Sequence, residues 1–335
     1  MNKYFLCYAC CIPVKGYSRS IICDLQRNSF LLIPNVLVEI LALSREHTVQ
    51  EIYARYGHEH DQQIEEYFQY LIDNDYGFYS DAPQRFPPMD LDWRSPKIIT
   101  NCLIDFDAES QHDLAAISEQ LSELGCEALE LRFFYPLAVE ALSEQLLHFR
   151  DSTLRSINLL VGYHPSLEVE AIEDLLFNHR RVKSVTVHSS PDQDQFIRID
   201  LQTSLRYTPE RIDSEACCGN VSSRYFSSTV SAFTEARLFN SCLNKKVGID
   251  KRGIIRNCPS MPRSYGDART TPLSEAIEKV EFRQPWGITK DQVLVCQDCE
   301  FRYICHDCRA YLQAPEESLS KPAKCRYDPY QARWE

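Results

Sequence analysis

Seven cysteines, Cys242, Cys258, Cys296, Cys299, Cys305, Cys308 and Cys325, fall within 84 residues of a 335-residue chain. Four of them form two Cys-x-x-Cys pairs separated by only five residues. Thiolates on short loops reach one metal centre together, which is why such pairs recur in both zinc and iron–sulfur sites. A zinc ribbon ordinarily puts about 15–20 residues between its pairs and needs four ligands in all. Seven thiols with a five-residue insert exceed one site and nearly fill two. Burial as plain apolar side chains accounts poorly for this crowding. Spacing alone leaves zinc and iron–sulfur both open. Of the other cysteines, Cys7, Cys10, Cys11 and Cys23 lie on expected strands among apolar neighbours and read as core, as does Cys102. His306, inside the cysteine run, reads as a neighbour of ligands rather than a ligand.

Composition narrows the chemistry further. The fifteen cysteines occur in a chain with no recognisable export signal, so metal binding in a reducing, cytoplasmic setting is expected rather than a disulfide framework. The formal net charge of −12 argues against nucleic acid and anionic membrane partners, and no stretch has the length of a membrane span. There are ten glycines and no two form Gly-x-Gly, which excludes the glycine-rich phosphate loop and the dinucleotide fingerprint.

The elements that must position the thiols fall into successive regions. Residues 1–81 begin with apolar stretches Tyr4 to Val14, Tyr17 to Leu25 and Ser29 to Ile33, set apart by turn residues, and so read as antiparallel hairpins. Three helices follow. Pro34 opens the first, a Thr48–Glu51 capping box the second, and Ile64, Phe68, Leu71 and Ile72 mark one face of the third. A returning strand is expected at Tyr76 to Tyr79. The order suggests a winged-helix-like unit. Residues 82–96 carry Pro83, Pro87, Pro88 and Pro96 and read as a linker. Residues 97–205 alternate strand and helix from the strand Ile98 to Phe106 onward, which implies an α/β fold with a parallel sheet, either an open partial (βα) barrel or a small layered sheet. Residues 206–335 lose this rhythm and hold nine of the fifteen cysteines.

The run Cys242, ten residues, Gly253, four residues, Cys258, then the Cys-x-x-Cys pairs and Cys325, resembles the SPASM domain, the auxiliary-cluster region of many radical SAM maturases of ribosomal peptides. One departure is that two residues, rather than three, separate Cys305 from Cys308. The resemblance implies [4Fe–4S] clusters, one on Cys296, Cys299, Cys305 and Cys325 and another on Cys242, Cys258 and Cys308, with no motif match for a fourth ligand. Cys217 and Cys218 are the upstream candidates. The middle region would then be a degenerate partial barrel of the radical SAM type. The Cys-x-x-x-Cys-x-x-Cys triad that binds the S-adenosylmethionine cluster is absent from the chain, so no S-adenosylmethionine is expected. A SPASM domain without that triad, together with Asp90-Leu91-Asp92-Trp93, Ile98-Ile99-Thr100-Asn101 and the run ending Arg302 to Ala310, is similar to the grasp-with-spasm maturation proteins. That likeness implies a precursor peptide and an ATP-grasp ligase as partners, with the ligase making the macrocycle. The N-terminal unit resembles leader-peptide recognition domains, which take the leader as an added strand, with Ser29 to Ile33 as the candidate edge. A plain packing domain is the competing reading. A cluster-dependent enzyme and a zinc-stapled scaffold stay open beside the adaptor role.

Overall fold

The computed structural model describes residues 3–335. Its first unit splits the apolar stretch from Tyr4 to Val14 into β1 (Tyr4–Cys7) and β2 (Cys11–Val14). A turn closed by the Cys11 N–H on the Tyr8 carbonyl, 2.8 Å, separates them. This turn carries no glycine or proline, so apolar patterning alone reads through it. β3 (Ser20–Asp24) and β4 (Ser29–Ile33) complete an antiparallel sheet in the order β2-β3-β4. Then come α1 (Asn35–Ser44), α2 (Val49–Arg55) and α3 (Asp61–Asp73). The capping box forms: the Glu51 N–H donates to Thr48 Oγ1 (3.3 Å) and the Thr48 N–H to Glu51 Oε2 (2.7 Å). α2 stops before Gly57, whose φ of +65° suits a residue without a Cβ. β5 (Gly77–Ser80) returns antiparallel beside β1, and Phe5 stacks on Phe68 of α3 at 4.2 Å.

The remainder is mixed α/β, built on one eight-stranded, parallel-rich sheet. β6 (Asn101–Phe106), β7 (Ala128–Pro136), β8 (Ser156–Gly162) and β9 (Val182–His188) are joined by α4 (Leu114–Glu123), α5 (Val139–Leu147) and α6 (Val169–Asn178). β10 (Gln195–Arg198) runs antiparallel at one edge beside β11 (Ser204–Tyr207), which is parallel to β9. After α7 (Val230–Leu238) the chain adds β12 (Lys246–Ile249) parallel to β6, and β13 (Ile255–Arg256) forms the other edge. The sheet is open, from β10 at one end to β13 at the other. The strand expected from Ile98 starts at Asn101, and the one expected over Phe196 to Leu201 stops at Arg198. β11, β12 and β13 are too short to stand out from periodicity. α8 (Leu273–Glu278) lies within the helix expected over Pro272 to Val280.

Alternation sorts the sheet's two faces. Ile104, Leu131, Leu159, Val185, Val247 and their neighbours pack under α4, α5, α6 and α8 in one apolar core. The other face is polar and bears Asp105, Glu130, Arg132, Asn158, His188 and Lys246. Asp105 and Arg132 are cross-strand partners on β6 and β7 and form a bidentate ion pair (2.6 and 2.9 Å) that is almost wholly buried. Burial pushes the Asp105 carboxyl up to about 6, against the opposing pull of Arg132. Arg132→Leu leaves that carboxylate buried without its counter-charge and should cost about 3–5 kcal/mol in denaturant unfolding, whereas the double change Asp105→Leu with Arg132→Leu should cost less.

Candidate metal centre

The sheet's β12 edge fixes the first thiols. Cys242 sits in the turn before β12 and Cys258 just after β13. Gly253 makes the connection with φ +85°, which gives the glycine of the Cys-x10-Gly-x4-Cys pattern a backbone reason. Asn240, buried, accepts the N–H groups of Cys242 (3.1 Å) and Leu243 (2.9 Å), and its amide donates to Asp307 Oδ2 (2.7 Å), inside the later cysteine run. Asn257 donates to the carbonyls of Leu243 (3.1 Å) and Lys246 (2.7 Å), so the two thiol-bearing turns are held as one piece.

Cys308 and Cys218 both come near the Cys242 and Cys258 turns. Cys258 and Cys308 each lie within the field of both Cys242 and Cys218. Gly219 passes so close that a Cβ there would stand 2.9 Å from Cys308 Sγ. The segment carrying Cys218 is irregular and is fastened by side chains that flank the other thiols. Tyr311 Oη donates to the Glu215 carbonyl (3.1 Å), Ser260 Oγ to the same carbonyl (3.3 Å), and Lys324 Nζ to the carbonyls of Ala216 and Cys218. The SPASM-like cysteine pattern assigns no residue to this position. The available signal was Cys217-Cys218-Gly219, a glycine beside two thiols in a chain poor in glycine, with φ +84° at Gly219. Cys217 turns away, its thiol 3.8 Å from the Arg211 carbonyl.

Cys296, Cys299, Cys305 and Cys325 form the second group and line one cavity with Lys290, Phe226, Phe301 and Trp334. Cys296 opens a single 3₁₀ turn after Val295, itself at φ +68°, and the Cys299 N–H closes that turn on the Cys296 carbonyl (3.0 Å). The N-terminal sheet docks here. Val14, Ile21, Cys23 and Leu25 pack with Phe301, Ile304 and Tyr327. Arg19 Nε pairs with buried Glu300 Oε1 at 2.7 Å, and Arg302 donates to the Lys15 carbonyl at 2.6 Å. Gly16 permits the approach, since a Cβ there would stand 2.9 Å from the Glu300 backbone nitrogen.

Each group contains one lysine ammonium, that of Lys290 buried and that of Lys246 half-buried. Lys246 Nζ reaches Cys242 Sγ at 3.4 Å, and Lys290 Nζ donates to the Cys305 carbonyl at 2.8 Å. Burial disfavours both ammonium groups, and negative charge on the neighbouring sulfurs, with Asp307 beside Lys290, acts the other way and raises them. The thiols move the same way for the opposite reason: burial disfavours the thiolate and pushes Cys258 and Cys296 up to about 12, and raises Cys299, Cys305 and Cys308. Four thiols around one cavity, with a resident cation to offset the negative charge of their thiolates, fit a cysteine-ligated inorganic centre. The other cysteines stand apart. Cys102 and Cys126 are buried in the core of the main sheet, and Cys7, Cys10, Cys11 and Cys23 belong to the N-terminal strands and the turn joining them. The loop after β6 carries no cysteine.

No family model matches the chain, and no curated protein matches it. Among solved structures the chain is similar to the crystal structure of Streptococcus suis SuiB bound to S-adenosylmethionine, at 10% identity and a TM-score of 0.34, covering 95% of this chain and 98% of that one. A second crystal structure of SuiB matches at 10% identity and a TM-score of 0.31, covering 92% and 95%. Scores this low carry no argument about activity. Among the described residues, no helix is long and apolar enough to cross a membrane.

Cys218→Ser should remove metal from the first group and spare the second, while Cys217→Ser leaves both loaded; metal per chain after anaerobic reconstitution checks this. Lys246→Met should weaken metal retention at the first group about 10–100-fold, read by chelator competition. Because a thiol gives up its proton to bind metal, acidification favours the metal-free state. Metal retention should therefore rise steadily from about pH 6 to about pH 9 in a chelator titration.

Proposed function

We propose that this chain is a SPASM-type peptide maturation protein with two auxiliary [4Fe–4S] sites, Cys218, Cys242, Cys258 and Cys308 forming one and Cys296, Cys299, Cys305 and Cys325 the other. The observation that carries the reading is the gathering of eight thiols into two groups of four, each with its own lysine. A [4Fe–4S] cubane holds its four thiolates farther apart than a single zinc does. Four thiolates on a single zinc, at about 2.3 Å each, sit only about 3.8 Å from one another. Among the described residues, the only trio of metal-ligating atoms within 4.8 Å of one another lies elsewhere, in the N-terminal unit. When bound, such clusters would supply one-electron chemistry, or an iron for substrate to approach where a ligand is displaced.

The proposal gives the chain's own residues the tasks of binding and presentation. β4 is the edge of the small sheet, with no strand beyond it among the described residues, and could take an extended peptide by backbone hydrogen bonding. One end of that edge is already engaged, since Ser228 Oγ donates to the Ser29 carbonyl at 3.0 Å. The contact of the N-terminal sheet with the Cys296–Cys305 loop, through Arg19–Glu300 and Arg302–Lys15, would carry a bound leader's core segment toward the second thiol group. In this reading a precursor peptide and an ATP-grasp ligase are the partners, and the ligase makes the bond.

The test assays ligase and precursor with and without this chain. Macrocyclised product should appear faster with the full chain present, and Leu31→Pro in β4, which kinks the edge, should remove the effect. If the chain alone changes the precursor's mass, the adaptor role is wrong and the chain is itself a modifying enzyme.

A further inference from the structure

Outside the C-terminal thiols, one other place gathers metal-ligating groups. In the N-terminal unit the β2–β3 register sets Cys11 opposite Asp24, and the turn ending at Cys10 brings a second thiol beside them. The ligand atoms of Cys10, Cys11 and Asp24 all lie within 4.8 Å of one another. The sequence places these cysteines in an apolar core, and that is where Cys11 and Cys23 are found, but Cys10 stays half-exposed. We propose that Cys10, Cys11 and Asp24 form a zinc site, separate from the C-terminal centres, that ties the β1–β2 joint to β3.

The donor set selects the metal. Two thiolates and one carboxylate suit borderline-soft zinc, whereas calcium and magnesium take oxygen ligands. Three protein ligands leave the fourth tetrahedral position to water, and half-exposed Cys10 provides the way in. Charge closes as well. Two thiolates and one carboxylate carry −3, zinc brings +2, and the Arg27 guanidinium, already paired with Asp24 Oδ2, supplies the remaining +1. Binding releases one proton from each thiol to solvent and moves no electrons.

The surroundings hold the ligands ready. The N–H groups of Gln26 (3.0 Å) and Arg27 (2.9 Å) donate to Asp24 Oδ1 and fix the carboxylate. The Leu25 N–H donates to the Cys10 carbonyl at 2.9 Å, which locks the turn against the end of β3. Gln26 Oε1 lies 3.8 Å from Cys10 Sγ, close to the open side of the group. A metal here would clamp the point where the chain passes from the β1–β5 pair into the β2-β3-β4 sheet.

The test uses the reduced full chain, labelled with iodoacetamide and mapped cysteine by cysteine, so that metal at the C-terminal thiols does not confuse the reading. Saturating zinc should slow alkylation of Cys10 at least tenfold, and magnesium at the same concentration should leave it unchanged. Asp24→Asn, which keeps a side-chain oxygen for the two N–H groups, should raise the zinc concentration needed for half-protection at least tenfold. An unchanged Cys10 labelling rate in wild type at saturating zinc overturns the site, whatever the variant does. Equal protection in Asp24→Asn overturns the role of the carboxylate.

Discussion

Thiols can serve one inorganic centre only if chain segments far apart in sequence deliver them to the same point, and here buried polar hydrogen bonds do most of that work. Asn240 is the clearest case. Its amide oxygen takes the two N–H groups of the Cys242 turn while its nitrogen reaches Asp307 in the other cysteine run, so a single side chain sets the distance between the two. Lys324 and Tyr311 do the same for the loop that carries Cys218. A buried amide with a lost partner is costly, so the Asn240 bonds specify one arrangement. Little regular structure is needed, and little is present after β13.

The large sheet provides the rigid reference. Drawing β12 into register with β6 anchors the first thiol pair to a packed α/β core, and the sheet's polar face turns Lys246 toward the sulfurs. The second group takes its rigidity from the N-terminal unit, whose sheet supplies the apolar wall and the Arg19–Glu300 pair. Peptide binding at that unit, if it moves the sheet, would be felt first at the loop from Cys296 to Cys305.

How much of this was legible in the sequence depended on periodicity. The strand–helix alternation from β6 to β9 follows from apolar residues recurring with the right spacing, and the Thr48–Glu51 box marks α2 directly. The cysteine pattern marks the seven later thiols, and Gly253 marks the turn between the first two. Cys218 was legible only as one of two upstream candidates, because it arrives on an irregular segment whose position depends on Tyr311 and Lys324, which follow it by many residues. The break at Tyr8 to Cys10 was hidden for a related reason. Its turn is made by backbone hydrogen bonding without a marker residue, and the thiol it presents looks like one more apolar position.

The proposed clusters on the two thiol quartets have a direct spectroscopic readout in Mössbauer spectra of the protein expressed with ⁵⁷Fe and isolated without oxygen. About eight irons per chain are expected, all in the signature of [4Fe–4S] clusters. A fully folded protein that carries zinc, or no metal at all, at these cysteines would contradict that proposal.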